Sequence, residues 1–515
     1  MAYERKSVPW FKLALDIIIT IILIALQIVV YYFLFIGGKK IPYLYAFSKV
    51  LAVILVIHLF NTNDNISYKL TWTAVILSFS FAGPFLYLSF GGGHNLPKRK
   101  YKKIAGYINK YVNQHNNDDV LKELANDDLK AYRFVKLLRE ETGFPLYREN
   151  ESIFFNDGKV MFEEMLNQID KAQKFIFMEY FILASGIMLD TLFTHLEKAS
   201  ERGIDIRIIY DYVGSYGYKL LKRKDRKRLY ELTKGNFVVY NPLGKNLNLG
   251  INYRDHRKIL LIDDLTSFVG GINIADEYIH EKNRFGYWRD NGMMIRGRAS
   301  HSYLLLFAQN WYMSTKEVLD IEAHYNQNEL ETNDGYVFPF GDGPNNRLNP
   351  AYDLYLNLIN SAEESILIST PYFVIDKNFV KALCNKAKSQ VEVILLFPGI
   401  PDKKLVYLMA SSNLNDLISA GAKVYLFKMG FNHAKSLVID HKYAINGTFN
   451  IDYRSMFLHF ECCNLLIKTH VVTEIEKDFR SELLEENLVT INDLKKIGFF
   501  RKLLNFFLSI LGPLV

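Results

Sequence analysis

The sequence is poor in cysteine, and this limits the kinds of protein it can encode. Its 515 residues include three cysteines, Cys384 and the adjacent pair Cys462 and Cys463. No Cys-x-x-Cys spacing occurs, which argues against a structural zinc site, and the odd count argues against a disulfide framework. We therefore expect the functional domain to lie in a reducing compartment.

A large excess of charge of one sign is also missing. The formal net charge is +7, which is small for this length and does not by itself indicate a nucleic-acid partner. Hydrophobic residues make up 50% and charged residues 23% of the chain, which excludes both a disordered chain and one embedded throughout in a membrane. The sequence therefore predicts a folded protein with a local hydrophobic region.

That region is residues 1–92, where we predict a membrane anchor with two or three transmembrane helices. Ile17–Ile36 is an uncharged run of twenty residues, long enough to cross a hydrocarbon core of about 30 Å. Leu70–Phe90 is a second such run, with a kink expected at Gly83-Pro84. Ile41–Phe60 is a weaker candidate because a lysine and a histidine interrupt it. A cleaved signal peptide is the alternative for the first run, but no small-x-small cleavage site follows it.

Basic residues beside these runs predict the orientation of the chain. Five lysines and arginines lie at 98–103, directly after the last run. Since the more basic flank faces the cytoplasm, we expect a multi-pass protein of the cell membrane with everything after residue 95 in the cytoplasm. Residues 93–150 would form a basic juxtamembrane and helical connector, whose basic cluster binds anionic headgroups or is simply a solvated loop. Residues 491–515 would form an amphipathic tail, either an interfacial helix or a helix docked on the core.

Beyond residue 150, short β-branched and aromatic runs alternate with amphipathic helices, as in an α/β fold. Five segments recur in the same order in residues 151–330 and 335–490. Residues 203–210 correspond to 391–398, for example, and 235–240 correspond to 421–426. The fold class we predict is α/β, with two copies of one unit related by a pseudo-twofold axis and preceded by transmembrane helices.

Both copies contain the motif His-x-Lys-x4-Asp. The motif residues are His256, Lys258 and Asp263 in the first copy and His433, Lys435 and Asp440 in the second. Residues two apart in a strand point to one face, so each histidine shares a face with its lysine. The aspartates lie seven residues beyond the histidines, an odd offset that turns them to the other face. We include them among the catalytic-motif residues but interpret them as strand-end anchors rather than as substrate contacts.

Histidines, lysines and asparagines that meet across a pseudo-twofold axis suit a phosphodiester substrate. The lysines and the amides of Asn273 and Asn450 would neutralise its non-bridging oxygens. One histidine would attack phosphorus to give a covalent phosphohistidine, and the other would act as acid and then as base. This mechanism needs no metal and no other cofactor. The alternatives for the histidines are core residues or zinc ligands, but a lysine beside each histidine opposes a bound cation.

The paired motifs, with their trailing Gly-Gly-x-Asn and Gly-Thr-x-Asn turns, resemble the phospholipase D superfamily. The context is similar to that of bacterial cardiolipin synthases, on the evidence of Asn252-Tyr-Arg-Asp255 before the first histidine, Tyr287-Trp-Arg-Asp290, and Asn450-Ile-Asp-Tyr-Arg-Ser455. The resemblance covers nearly the whole chain, although Ile17–Ile36 is not part of the minimal pattern. It implies that a downstream carboxylate orients each motif histidine.

By position, the orienting carboxylates would be Asp290 and Glu461, with a surface salt bridge and a strand-edge charge as the respective alternatives. Glu179 lies at the end of the first strand of its copy, where such folds present active-site groups. We predict a polar substrate contact for Glu179, with a surface carboxylate as the alternative.

The resemblance also implies an activity. It is that of a membrane-bound phosphatidyltransferase joining two phosphatidylglycerol molecules into cardiolipin with release of glycerol. Phosphatidylglycerol and anionic membrane lipids are the expected partners, and nucleic acid is not. The alternative is a hydrolase of the same superfamily that acts on phospholipid or nucleic acid with water as acceptor. We favour His256 as the nucleophile, while the oligomeric state does not follow from the sequence.

Overall fold

The fold is that of a computed structural model, which describes residues 42–62, 64–79, 82–91, 118–148, 150–216, 221–242, 252–325, 334–344 and 348–490 with a few isolated positions besides. Three predicted features lie almost entirely outside the described residues. They are the run Ile17–Ile36, the basic cluster at 98–103 and the C-terminal tail at 491–515.

Three short helices form the N-terminal part: α1 (Pro42–Phe60), α2 (Ile66–Ser78) and α3 (Ala82–Phe90). They pack around Trp72, whose ring meets those of Tyr68 and Tyr87 edge-on. Leu70–Phe90, which we predicted to form a single span with a kink at Gly83-Pro84, is instead divided between two helices. A side chain at Gly83 would place its Cβ 2.5 Å from the Val75 carbonyl oxygen, so this glycine lets α3 fold back onto α2.

The outer side of these helices is apolar. Phe47, Val50 and Ile57 of α1 are each more than half exposed, and so are Ile66 and Leu70 of α2. Among the helices of the described residues, none combines the length and the apolar character that crossing a membrane requires. At its inner end this part of the chain contacts the second repeat, where the Asn65 amide donates to Asp376 Oδ2 at 3.2 Å.

A helical connector follows, comprising α4 (Asp118–Asp127) and α5 (Leu129–Thr142). Asp128 caps α5 by accepting from the Ala131 amide, and Gly143, with φ at 78°, ends it in the left-handed conformation. The buried face of α5 carries Val135 and Leu138, which pack with the core shared by the two repeats.

The first repeat is built on a seven-stranded sheet. Its elements are β1 (Asn150–Phe155), α6 (Gly158–Lys171), β2 (Phe175–Tyr180), α7 (Ile187–Glu201), β3 (Asp205–Asp211), a π-helical turn (Tyr212–Tyr216), α8 (Arg223–Leu232), β4 (Phe237–Tyr240), β5 (Lys258–Ile262), β6 (Thr266–Gly270), a 3₁₀ turn (Asp276–Ile279), β7 (Tyr287–Arg289), β8 (Gly292–Gly297), α9 (Ser300–Thr315) and α10 (Ile321–His324). The strand order in the sheet is β4-β3-β2-β5-β6-β8-β1.

The second repeat has a sheet of the same size. Its elements are β9 (Tyr336–Asp342), α11 (Pro350–Ser361), β10 (Ser365–Ser369), β11 (Phe373–Val374), α12 (Lys377–Lys388), β12 (Glu392–Pro398), α13 (Lys404–Ser419), β13 (Lys423–Phe427), β14 (Gly430–Asn432), β15 (Ser436–Ile439), β16 (Tyr443–Gly447), β17 (Ile451–Asp452), α14 (Tyr453–Phe457), β18 (Glu461–Ile467), α15 (His470–Ser481) and a 3₁₀ turn (Glu485–Asn487). The strand order is β13-β12-β10-β15-β16-β18-β9.

The two sheets have one topology. In each, three neighbouring strands are parallel and the remaining pairs are antiparallel, and β2, β5 and β6 of the first sheet match β10, β15 and β16 of the second. The internal duplication predicted from the sequence is therefore present in the fold as two sheet-containing α/β units.

Helix α9 joins the two units into one core. It is apolar around most of its circumference, and its residues from Ser300 to Trp311 are buried, as expected of a helix enclosed on all sides. It contacts β2 and β5 of the first sheet and β9 of the second. Its Tyr303 hydroxyl also donates to Asn464 Oδ1, at 2.5 Å. The strands that carry the two motifs are thus held at fixed positions relative to each other.

Candidate active site

The two motif histidines lie where the repeats meet, each just before the central strand of its sheet. The main-chain amide of His256 donates to the Phe460 carbonyl at 2.9 Å, and that of His433 donates to the Arg289 carbonyl at 2.7 Å. In addition, β7 pairs with β14 across the interface, and Asp255 bridges to Phe460. Each histidine is therefore bonded through its backbone to the opposite repeat.

The side chains cross over in the same way. His256 Nδ1 lies 2.8 Å from Glu461 Oε1, and His433 Nδ1 lies 2.5 Å from Asp290 Oδ2. Each imidazole thus meets the carboxylate of the other repeat, and both carboxylates are at most 1% exposed. A carboxylate at Nδ1 fixes the ring orientation and leaves Nε2 free for a substrate.

The two carboxylates occupy equivalent positions. In the first sheet Gly270 of β6 pairs with Gly292 of β8, and Asp290 lies two residues before Gly292. In the second sheet Gly447 of β16 pairs with Cys463 of β18, and Glu461 lies two residues before Cys463. Their surroundings nevertheless differ. Thr448 Oγ1 donates to Glu461 Oε2 at 2.5 Å.

The residue equivalent to Thr448 in the first repeat is Gly271, where a Cβ would lie 2.0 Å from Asp290 Oδ1. The Thr448 side chain thus holds Glu461, whereas the absence of a side chain at Gly271 leaves room for Asp290. The sequence analysis missed this role of Thr448, although its place in the repeated turn motif marks it.

The motif lysines lie beside the histidines. The Lys258 ammonium donates to the His256 carbonyl at 2.5 Å, and the Lys435 ammonium donates to the His433 carbonyl. Burial lowers the pKa of Lys258 to about 8 and that of Lys435 to about 7, although Glu461 and Asp290 act in the opposite direction. The site therefore concentrates cationic groups that are short of compensating negative charge.

The same burial acts on the histidines. Burial and Lys435 lower the pKa of His433 to about 4, with Asp290 opposing them. Burial and Lys258 lower the pKa of His256 well below its ordinary value. Both shifts favour the neutral imidazole, which is the form that a nucleophile requires.

The motif aspartates lie at the far ends of the same strands. Asp263 accepts from the main-chain amides of Gln173, Lys174 and Phe175 at 2.8 to 2.9 Å. Asp440 accepts in the same way from Glu363, Glu364 and Ser365 at 2.8 to 3.1 Å. Each aspartate fastens the loop that precedes the first parallel strand of its repeat, and neither contacts a motif histidine or lysine.

The two asparagines are not equivalent. Asn273 Oδ1 accepts from the Ile182 amide at 3.0 Å, and its Nδ2 donates to the Tyr278 hydroxyl at 2.7 Å, so both polar ends are engaged within the protein. The substrate contact predicted for Asn273 does not match this environment. Asn450 Oδ1 is buried and, among the described residues, has no hydrogen-bond partner. Asn450 thus remains the asparagine that can turn to a ligand.

Glu179 also has a different environment from the predicted one. It is fully buried, and its Oε1 accepts from Asn310 Nδ2 at 2.6 Å and from Arg257 Nη1 at 3.4 Å. Burial raises the pKa of Glu179. Arg257 in turn donates from Nε to the Glu461 carbonyl at 3.3 Å. Glu179 therefore belongs to a buried ionic cluster behind His256, because a glutamate on an interior strand needs a cationic partner.

The neighbours of the two imidazoles differ in chemistry. The His433 ring lies among Tyr278, Trp288 and Phe431, with ring centroids 5.3 to 5.7 Å away. The His256 ring lies 4.9 Å from that of Phe181, and the place that Trp288 has beside His433 is taken here by His459, whose centroid is 5.5 Å away. Sequence analysis missed His459, although it lies two residues before Glu461, as Trp288 lies two residues before Asp290.

Comparison with known families accounts for both repeats. The family model described as "Cardiolipin synthase, PLD-like domain" matches residues 165–302 and 355–483, together more than half of the chain. The chain belongs to the cardiolipin synthase family. A second model, "Phospholipase D-nuclease N-terminal", matches residues 50–92. The chain is thus an enzyme of the phospholipase D superfamily.

Relatives within the cardiolipin synthase family align over most of the chain. An uncharacterised protein of Streptococcus mutans is 35% identical over 464 residues, covering 89% of this chain and 99% of that protein. A cardiolipin synthase of Alkalihalophilus pseudofirmus is 32% identical over 474 residues, covering 90% of this chain and 92% of that protein. The crystal structure of phosphatidylserine synthase from Haemophilus influenzae covers 74% of this chain and all of that chain, with a TM-score of 0.55 and 14% identity, and shows a similar fold.

The geometry predicts that the two motif aspartates and the two histidine-orienting carboxylates of this cardiolipin synthase family member differ in role. Asp290→Asn and Glu461→Gln replace the carboxylate at each Nδ1 by a neutral amide that no longer fixes the tautomer, so the transfer rate should fall by up to about 10⁴-fold with little change in melting temperature. Asp263→Asn and Asp440→Asn should instead lower the melting temperature and leave most of the rate per folded molecule. Both quantities should be measured for all four variants. Inactive but normally stable Asp263 and Asp440 variants would reverse the assignment.

The anchor at Asp440 should also show a characteristic pH dependence. Burial alone would raise its pKa, but the amides of Glu364, Ser365 and Glu363 outweigh burial and hold the pKa of Asp440 below its ordinary value. A depressed carboxyl pKa stabilises the fold above the unfolded-state value, and this contribution is lost as the pH falls. The melting-temperature deficit of Asp440→Asn should therefore be full at pH 7 and shrink below about pH 4. A deficit that is constant with pH would contradict this interpretation.

Proposed function

We propose that this protein is a membrane-bound phosphatidyltransferase that joins two phosphatidylglycerol molecules into cardiolipin and releases glycerol. The observation that carries the proposal is the pair of crossed imidazole–carboxylate contacts, each beside a buried lysine. Two such pairs supply a nucleophile and an acid on opposite sides of one phosphodiester. The name cardiolipin synthase, which several relatives carry, supports the choice of product.

In the first step, Nε2 of neutral His256 forms a bond to phosphorus, and the bond from phosphorus to the glycerol oxygen breaks. Protonated His433 gives its Nε2 proton to that oxygen, and glycerol leaves. In the second step, the headgroup hydroxyl of another phosphatidylglycerol attacks phosphorus and its proton passes to His433. The bond from phosphorus to His256 then breaks, which yields cardiolipin and regenerates both histidines.

Substrate charge prepares the histidines for these roles. A bound phosphodiester places negative charge beside both rings, and this raises the pKa of each. His433 is the better placed to take up a proton, because Asp290 approaches it to 2.5 Å and directly opposes the effect of burial. Lys258, Lys435 and the amide of Asn450 would bind the non-bridging oxygens, whose charge grows in the transition state.

The N-terminal region would hold the enzyme on its lipid substrate. The exposed apolar side chains of α1 and α2, together with the uncharged run at 17–36, form the proposed anchor in the cell membrane. The basic residues at 98–103 favour a catalytic part that faces the cytoplasm. Protease added to inverted vesicles, but not to intact spheroplasts, would then cleave within the catalytic part.

The decisive experiment incubates the purified full-length enzyme with vesicles of phosphatidylglycerol alone. The expected products are cardiolipin and glycerol in equal amounts. Because the lysines supply the positive charge at phosphorus, treatment with a chelator should leave most of the activity. Phosphatidic acid as the main product would identify a hydrolase, and loss of activity that magnesium or zinc restores would contradict the lysine-based mechanism.

The roles of the two histidines can be separated with a phosphatidyl ester of nitrophenol, a leaving group that needs no acid. His256→Ala and His433→Ala should each slow cardiolipin formation by several orders of magnitude, since nucleophile and acid act together. With the activated ester, His433→Ala should still release nitrophenol and accumulate a phosphatidyl adduct on His256, whereas His256→Ala should do neither. An adduct on His433 in the His256→Ala variant would reverse the two roles.

A further inference from the structure

His459 is a third imidazole in the active site, and the mechanism does not use it. It lies in the loop just before β18, and its side chain is 10% exposed. Both ring nitrogens are buried and form no hydrogen bond within the described part of the chain. Burying an imidazole without partners is unfavourable, so an unused pair of nitrogens beside a catalytic histidine indicates a ligand.

The nitrogens of His459 converge with two other donors. Its Nδ1 lies 3.7 Å from Glu461 Oε1, the same oxygen that lies 2.8 Å from His256 Nδ1. One ligand atom from each of the three residues falls within 4.8 Å of the others. Two imidazoles and one glutamate are the protein ligands of a well-known class of zinc sites.

The other half of the active site serves as an internal comparison. There the position of His459 is taken by Trp288, whose indole cannot bind a metal, and His433 and Asp290 remain as the two donors. The capacity for a third ligand is therefore confined to the His256 half. Packing alone does not explain why a histidine stands at position 459, because the aromatic ring of Trp288 fills the equivalent space in the other half.

The positive charge of Lys258 lowers the affinity of this site for a cation but does not prevent a cation from binding. The Lys258 ammonium is engaged by a main-chain acceptor, the His256 carbonyl, to which it donates at 2.5 Å. Glu461 and His459 place two further metal donors beside His256.

We propose that His256, His459 and Glu461 form a zinc site whose occupation inhibits the enzyme. Zinc would bind His256 through Nδ1, and the single ring proton, which Nδ1 otherwise shares with Glu461, would move to Nε2, so that the imidazole stays neutral. The lone pair that attacks phosphorus is then no longer available, and no proton need be gained or lost. The inhibitory consequence rests on the proposed function, whereas the binding itself does not.

Binding is tested first, without turnover, by titrating the full-length, metal-free enzyme with Zn²⁺ by calorimetry and with Co²⁺ by visible absorption. The wild type should bind one metal ion and give the intense d–d bands of a four-coordinate cobalt site. His459→Phe keeps an aromatic ring at this position, as in the other half, and should bind about tenfold more weakly or worse. His470→Asn removes a histidine that is paired with Asp334 at the surface and should match the wild type.

Inhibition is tested next, as the ratio of the rates with and without zinc for each protein, using whichever product the enzyme forms. Zinc should lower the rate at least about tenfold for the wild type and for His470→Asn, and a chelator should restore it. For His459→Phe the ratio should stay near one. Equal zinc affinity of His459→Phe and wild type, or no binding by either, would overturn the site. Binding without inhibition would overturn the regulatory part. An enzyme that does not use phosphatidylglycerol would contradict the proposed function and leave the binding result to decide the site.

Discussion

The structure depends on the exchange of carboxylates between the two repeats. Each motif imidazole takes its Nδ1 partner from the opposite repeat, so that neither repeat holds both a motif histidine and the carboxylate that orients it. An imidazole buried without such a partner would lose its preferred orientation and tautomer. The backbone bonds of His256 and His433 to the opposite repeat, and the shared helix α9, keep the exchange in register. The repeats therefore act as one unit because their chemistry is divided between them.

The two repeats share one fold, but the residues around their motif histidines differ. In the first repeat, Glu179 and Arg257 lie in a buried ionic cluster that reaches the Glu461 carbonyl. The equivalent positions of the second repeat are Ser369 and Ala434, which carry no charge. Charged groups behind His256 and aromatic rings around His433 give the two imidazoles different electrostatic surroundings. Such a difference would suit the proposed reaction, in which one histidine binds phosphorus and the other moves a proton.

Sequence reasoning reached the parts of this arrangement that depend on periodicity and repetition. The duplicated α/β unit followed from segments that recur in order, and the odd offset of Asp263 from His256 agrees with its place at the far strand end. Contacts between distant segments were not accessible. No local pattern shows that Asn273 is engaged by Tyr278, or that Glu179 is enclosed by Arg257 and Asn310. The division of Leu70–Phe90 into two helices depends likewise on the close approach that Gly83 permits.

The basic side chains of the active site outnumber its carboxylates, and this favours an anionic ligand. Two lysines and two imidazoles face two carboxylates in a buried space, and burial lowers the pKa of all four basic groups. A phosphodiester supplies the missing negative charge where the dielectric screening is weakest. Its arrival favours the charged form of the lysines and raises the pKa of the histidines, so that one of them can hold a proton. In the proposed mechanism, substrate binding and acid catalysis would thus be coupled through the same few charges, and the acid would form where the phosphate is already in place.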